Sequence, residues 1–125
     1  GTVDDAVDDA VDGADQLDDP ELAIKHWWRV LKKGGTLILY LPDRDLAEQK
    51  KTLPSRFNAD HKRFYCLEED APPDTVGLLP FLRRMLPDAD IIYGKLCDEG
   101  YLAKGAHYLP EGECSLEVVV RKVVV

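Results

Sequence analysis

The sequence predicts one small α/β domain, with a small sheet and flanking helices. Two observations carry this prediction. A helix pattern that ends at a glycine pair is followed at once by a continuous apolar run typical of a buried strand, and β-rich segments close the chain. At 125 residues, the chain is long enough to bury a hydrophobic core without disulfide bonds.

The chain opens with a repeat of valine, alanine and paired aspartates over residues 3–14. At helical spacing the apolar members share one face, but aspartate and valine are mediocre helix formers. We interpret residues 1–17 as a separate acidic segment, either a docked helix or a solvated arm. A paired-aspartate metal site is the alternative, although the glycine turn of a calcium loop is missing. The main domain is predicted to span residues 18–125.

Residues 18–43 predict a helix, a glycine stop and a strand. An aspartate can cap the helix start, Pro20 suits its first turn, and Gly34-Gly35 permits a left-handed cap at its end. The predicted apolar face consists of Leu22, Ala23, Trp27, Val30 and Leu31. The apolar run at 36–41 predicts a strand that is covered on both faces, and Pro42 closes it.

The remainder of the chain predicts further elements in alternation. Residues 43–51 form either a short helix or a loop. A helix start is predicted at 72–75, although Pro80 favours a kink or a late start near Leu79. Strands are predicted at 91–96 and 115–122, separated by a long loop.

The stretch from Asp18 to Asp43, and within it the part from Trp27 to Asp43 most specifically, resembles the helix-to-fifth-strand junction of S-adenosylmethionine-dependent methyltransferases of the Rossmann-like class (class I, type 11-like). Residues 60–65 are similar to the short His-x-x-Phe/Tyr stretch that follows the fifth strand in that family. The resemblance implies the second half of this fold, with a C-terminal antiparallel hairpin whose last strand inserts beside the fifth. The expected fold class is therefore α/β, with a small mixed sheet of one parallel-type strand and that hairpin.

The same resemblance implies transfer of a methyl group from a sulfonium to an O, N or C nucleophile. The sequence has no Gly-x-Gly turn after an early strand and no acidic residue at the end of a second strand, and both belong to the cofactor site. We therefore expect a truncated methyltransferase-like protein that lacks the cofactor-binding half and is not active alone. No cofactor is expected for this chain, and S-adenosylmethionine is implied by the resemblance only. The alternatives are a non-catalytic dimerisation or interaction module and a small-molecule binding domain.

The candidate site residues follow the predicted strand. The catalytic candidates are Asp43, Asp45 and His61, and the substrate-binding candidates are Arg44, Asn58 and Tyr65. Ligands bind at the carboxyl ends of strands in open α/β sheets, which favours Asp43 to Asp45, although a solvated turn with a local ion pair has the same pattern. His61 has the side chain that titrates near neutrality, and its alternative role is structural. Tyr101 and Tyr108 are interpreted as loop anchors, or as pocket lining.

Charge and composition exclude several functions. The net charge is −8, and residues 1–21 carry nine acidic residues and no basic one, so a nucleic-acid interface is not expected. The histidines and the three cysteines lack metal-ligand spacing. We interpret the cysteines as reduced thiols, with a Cys97–Cys114 disulfide as the alternative.

Location and assembly follow from hydropathy and from the sheet. No apolar run reaches the length of a membrane span and no signal peptide opens the chain, so we expect a cytoplasmic protein that does not bind membranes. A sheet that begins at the strand of residues 36–41 would expose an apolar edge. We therefore expect self-association, most simply a homodimer.

Overall fold

The fold is built from two sheets and two helices within the residues that the computed structural model describes, which are 10–11, 20–57, 60, 62–105 and 107–123. The strands are β1 (Ala10–Val11), β2 (Thr36–Pro42), β3 (Phe64–Cys66), β4 (Thr75–Gly77), β5 (Ala89–Cys97) and β6 (Ser115–Lys122). The helices are α1 (Pro20–Val30) and α2 (Leu78–Met85), with one π-helical turn at Arg44–Glu48. The predicted α/β class with a small mixed sheet is confirmed.

The larger sheet has the strand order β1-β2-β6-β5. Its first two strands are parallel, whereas β6 lies antiparallel to both of its neighbours, β2 and β5. The predicted strands at 36–41 and 115–122 are confirmed, and the strand predicted at 91–96 is longer at both ends. The smaller sheet pairs β3 with β4 in parallel and extends from the carboxyl end of β2, where Asp43 forms a bridge with Tyr65.

One face of the larger sheet carries the hydrophobic core. Alternate residues of β2 and β6 are buried there together with side chains of both helices, in accordance with the two-residue period of a strand. The sheet residues of this core are Leu37, Leu39, Leu41, Leu116, Val118 and Val120. On the other face of β2, Thr36, Ile38 and Tyr40 are partly buried, so the prediction that β2 is covered on both faces is confirmed for the core face and stays a prediction for the other.

Helix α1 has the predicted position, and its predicted apolar face is confirmed in part, because Leu31 is buried and Trp27 packs against the core. Ile24, Trp28 and Leu31 are buried, at steps of four and three residues. Leu22 and Val30, which were predicted to face the core, are 59% and 50% exposed. The helix is followed by Gly34 with φ 83°, the left-handed conformation that the glycine pair predicts.

Helix α2 begins late because strand β4 takes the place of its predicted first turn. Thr75 to Gly77 pair with β3, and the helix starts at Leu78. Pro80 therefore lies in the first turn, where a backbone N–H has no partner within the helix. The predicted helix start at 72–75 is wrong, and the late start is confirmed.

The acidic repeat falls outside the described residues except at β1. Ala10 and Val11 pair in parallel with Ile38 and Leu39 of β2. The interpretation of residues 1–17 as a helix or an arm otherwise stays a prediction.

Candidate functional site

The candidate site lies at the carboxyl end of β2, where the π-helical turn begins. Helix α1 reaches this edge with its first turn, because Glu21 forms an ion pair with Arg63, which directly precedes β3 (Nε to Oε1, 3.4 Å). The sequence therefore brings helix start, strand end and loop to one edge of the sheet. This is the edge at which open α/β sheets bind ligands.

Asp43 is buried and caps the turn. Its carboxylate Oδ2 accepts hydrogen bonds from the backbone amides of Asp45 (3.1 Å) and Leu46 (3.0 Å), as an N-cap side chain does. Burial raises the pKa of Asp43, and the Leu46 amide offsets part of that rise. A carboxyl group with a raised pKa is suited to exchange a proton, while the same oxygen fixes the shape of the turn.

Arg44 is the most buried charged group of the site, with a side chain that is 0% exposed. Its Nε donates to Oδ1 of Asp45 at 3.0 Å, Nη1 donates to Oγ1 of Thr75 at 3.2 Å, and Nη2 lies 3.0 Å from Oε2 of Glu69. Burial lowers the pKa of Arg44, but the hydrogen bonds to Asp45 and Glu69 outweigh it and raise the pKa overall. Arg44 thus stays charged and joins the π-helical turn to β4.

Asp45 and Glu48 have opposite environments within the same turn. The side chain of Asp45 is 60% exposed and offers its carboxylate to solvent beside Arg44. Glu48 is buried, and it accepts hydrogen bonds from the hydroxyl of Ser55 and from the backbone amide of Arg56 (2.8 Å). Glu48 therefore fixes the loop that follows the turn, while Asp45 is the accessible carboxylate of the cluster.

The aromatic candidates divide between the core and the loops. Tyr65 is 1% exposed and lies in β3 beside Asp43. The hydroxyl of Tyr101 donates a hydrogen bond to the carbonyl of Leu46 at 2.8 Å. This contact anchors the loop of Tyr101, which is the first of the two roles predicted for it. Tyr108 is 66% exposed. Asn58 and His61 lie outside the described residues, so their predicted roles stay predictions.

A cavity of about 300 Å³ adjoins the cluster through Thr75, which lines it and also binds Arg44. The charged residues of its wall are Glu21, Arg63, Asp70 and Arg84, and its apolar residues include Val76 and Phe81. Two acidic and two basic side chains give the wall no net charge. The carboxylate of Asp70 also accepts a hydrogen bond from the backbone amide of Gly77 (2.9 Å).

The sequence predicted the residues of this site that directly follow β2, but it did not predict the residues that contact Arg44 from β4 and from the segment before it. Glu69 and Thr75 carry no motif, and they meet Arg44 only because β4 pairs with β3. Arg63 and Arg84, which line the cavity, belong to no motif either. The sequence signal that predicted this site was the presence of charged residues directly after a buried strand.

A metal site and a disulfide are not formed by the described residues. Among them, no three His, Cys, Asp or Glu side chains gather at a possible metal site. The three cysteines are free, so the Cys97–Cys114 disulfide is not formed. Within the same ranges, no helix has both the length and the apolar character needed to cross a membrane.

Comparison of the chain with protein-family models, with curated proteins and with solved structures finds no match. The fold and the site geometry therefore carry the functional argument.

Proposed function

We propose that this chain forms the acceptor-side half of a methyltransferase-like domain of the Rossmann-like class, and that it does not bind S-adenosylmethionine by itself. The observation that carries the proposal is the strand order β1-β2-β6-β5. Strands β1 and β2 are parallel, and β6 lies between β2 and β5, antiparallel to both. Strand β5 directly precedes β6 in the chain. This is the arrangement implied for the second half of that fold.

The helices support the proposal as well. Helix α1 leads into β2, α2 follows the irregular segment after β2, and both bury side chains in one core on one face of the sheet. The chain enters β6 from β5 by an antiparallel connection, so no crossover helix is needed there. The local sequence and the topology thus both support the proposed half-domain.

The described residues at the two ends of β2 do not fit the cofactor. Gly34 and Gly35 lie at the amino end of β2, opposite the candidate site, and end a helix where a cofactor cradle would begin one. At the carboxyl end, the carboxylate of Asp43 already accepts hydrogen bonds from the first amides of the turn. An anionic group of a ligand would therefore have to compete with the Asp43 carboxylate for the amides of Asp45 and Leu46.

The remaining chemistry is that of an acceptor site. Asp45 is the exposed carboxylate, and its Oδ1 lies 3.0 Å from Nε of Arg44. Asp45 is positioned to orient a hydroxyl or amine and to take its proton, and Asp43 holds the turn in shape.

Isothermal titration of S-adenosylmethionine and S-adenosylhomocysteine into the purified chain tests the proposal. We expect no saturable heat at micromolar concentrations, with adenosine as the control ligand. Saturable micromolar binding of either compound would show that the chain builds its own cofactor site, and the half-site account would be wrong.

A second candidate function, small-molecule binding, is favoured by the cavity. Its volume of about 300 Å³ lies at the lower end of the range for ligand sites. A wall with both charge signs and an apolar part at Phe81 suits a small zwitterion with an apolar group. Phenylalanine is a suitable probe, with phenethylamine and 3-phenylpropionate as analogues that each lack one charge.

The cavity offers a matched pair of variants for this test. Arg84 lines the cavity, whereas its neighbour Arg83 is directed to the exposed Glu68. We expect Arg84→Gln to weaken phenylalanine binding in a titration and to reduce its advantage over phenethylamine, while Arg83→Gln leaves both unchanged. Equal effects of the two variants, or no binding of any probe, would exclude this function.

A further inference from the structure

Strand β5 is an edge strand with an unusual exposure of apolar side chains. Within the described residues it pairs only with β6, over the full length of Ala89–Cys97. Ile92, Tyr93 and Leu96 are 44%, 42% and 45% exposed. A long edge of this kind is a template for pairing with another strand.

The other edge of the sheet is less open than the sequence implied. Self-association was expected at β2, but β1 pairs there with Ile38 and Leu39. Strand β5 therefore offers the longer unpaired edge among the described residues.

A bulge at Ile92 decides how two copies of β5 can pair. Ile91 pairs with Val120 and Tyr93 with Val119, so the extra residue shifts the alternation of faces along β5. The core-side residues of β5 are Ala89, Ile91, Gly94 and Leu96. The residues on its opposite face are Asp90, Tyr93, Lys95 and Cys97.

A two-fold axis perpendicular to the sheet pairs residues of the same face in two antiparallel copies. One register meets this condition over the whole strand. It places Asp90 opposite the partner's Lys95, Ile91 opposite the partner's Gly94, and Ile92 beside the partner's Tyr93 at the axis.

The charges of that face are complementary in the same register. Asp90 lies across from Arg121 of β6, and Lys95 lies across from Glu117, with which it forms an ion pair at 3.9 Å. Pairing two copies of β5 extends these pairs into one row of alternating sign. Across the four strands the row consists of Arg121, Asp90, the partner's Lys95 and the partner's Glu117, in that order. The two-fold axis produces a second, identical row on its other side.

We infer that the chain forms a symmetric homodimer through antiparallel pairing of β5 with β5 of a second copy, in the register that sets Asp90 against the partner's Lys95. The pairing joins the two four-stranded sheets into one continuous sheet of eight strands. Opposite charges directly across antiparallel strands stabilise the pair, and like charges destabilise it.

Sedimentation velocity from micromolar to near-millimolar chain concentrations tests the inference on the full chain. The wild type is expected to dimerise. Asp90→Lys and Lys95→Glu, each alone, should raise the dissociation constant about tenfold or more, because two symmetric contacts change from attraction to repulsion. The double variant should recover part of that loss, since opposite charges face each other again across the interface while each substituted side chain meets a like charge on β6 of its own chain.

Two controls separate assembly from folding. Lys25→Glu reverses a charge on the exposed face of α1 and should leave the dimer unchanged. Amide hydrogen exchange of the wild type should show protection in β5 that grows with chain concentration, without any substitution. A monomer at all concentrations, a dimer unaffected by both reversals, or a double variant weaker than either single one would overturn the inference.

Discussion

Replacement of Arg44 by lysine is expected to destabilise the protein more than replacement by methionine. The guanidinium is fully buried and divides its donors among Asp45, Thr75 and Glu69. A lysine ammonium reaches only some of these acceptors and leaves a charge buried with too few partners. We expect Arg44→Lys to lower the free energy of unfolding by about 3 kcal/mol or more.

Methionine removes the charge and retains most of the aliphatic packing. Asp45 and Glu69 are 60% and 51% exposed, so water can replace the arginine there, and each lost pair costs about 0–1 kcal/mol. Thr75 is buried and loses a hydrogen-bond donor, which costs about 1–3 kcal/mol. Together these losses amount to about 1–5 kcal/mol for Arg44→Met, and the lysine variant should exceed the methionine variant because it also keeps a charge buried with too few partners.

Urea unfolding followed by the fluorescence of Trp27, which is partly buried, and of Trp28, which is buried, measures these differences. The control is Arg83→Met, which removes an exposed ion pair with Glu68 and should cost about 0–1 kcal/mol. The variant Thr75→Val, combined with Arg44→Met, should cost less than the sum of the two single changes by about 1–2 kcal/mol. A well-tolerated lysine, or strictly additive effects, would refute this account of the buried arginine.

Three further predictions concern single residues. Gly112→Ala should unfold at a clearly lower urea concentration than Gly105→Ala. Both glycines have a positive φ, but an added Cβ would lie 2.2 Å from the backbone of Gly100 at position 112 and would meet nothing within 4 Å at position 105. Equal unfolding midpoints of the two variants would contradict this prediction. Burial raises the pKa of Cys66 to about 12, so iodoacetamide at mildly alkaline pH should label Cys66 in the folded protein more slowly than the half-buried Cys97, as peptide mass spectrometry would show. The pKa of Asp43 is raised above its ordinary value of 3.8, so the folded protein favours the protonated carboxyl group. Relative to Asp43→Asn, the wild type should therefore lose stability as the pH rises from below 3.8 through the raised pKa. A gain in stability over that pH range would contradict this prediction.

The sequence was most informative where one local pattern decides the structure. The apolar run at 36–41 and the β-branched run at 115–122 form strands because their side chains suit little else, and Gly34 ends α1 by its left-handed φ. The buried face of α1 was misjudged in part because two apolar stripes were available. Packing against the sheet selected the one with Ile24 and Trp28 and left Leu22 exposed.

The site shows why local patterns stop short of function. Asp43, Arg44 and Asp45 were recognisable from their place after a buried strand. Thr75, by contrast, lies 31 residues from Arg44 along the chain and meets it only through tertiary structure. Strands β3 and β4 have three residues each, too few for a period to be recognised, so this contact carried no sequence signal.

The central claim is that the carboxyl end of β2 is the ligand-binding edge of the domain. Mapping backbone-amide chemical shifts during titration with S-adenosylhomocysteine and phenylalanine tests it most directly. The account predicts that phenylalanine perturbs amides clustered at residues 43–46, at Arg63 and at Thr75, whereas S-adenosylhomocysteine perturbs none. Perturbations centred on Gly34 and Gly35 at the opposite edge, or no perturbation by phenylalanine, would contradict it.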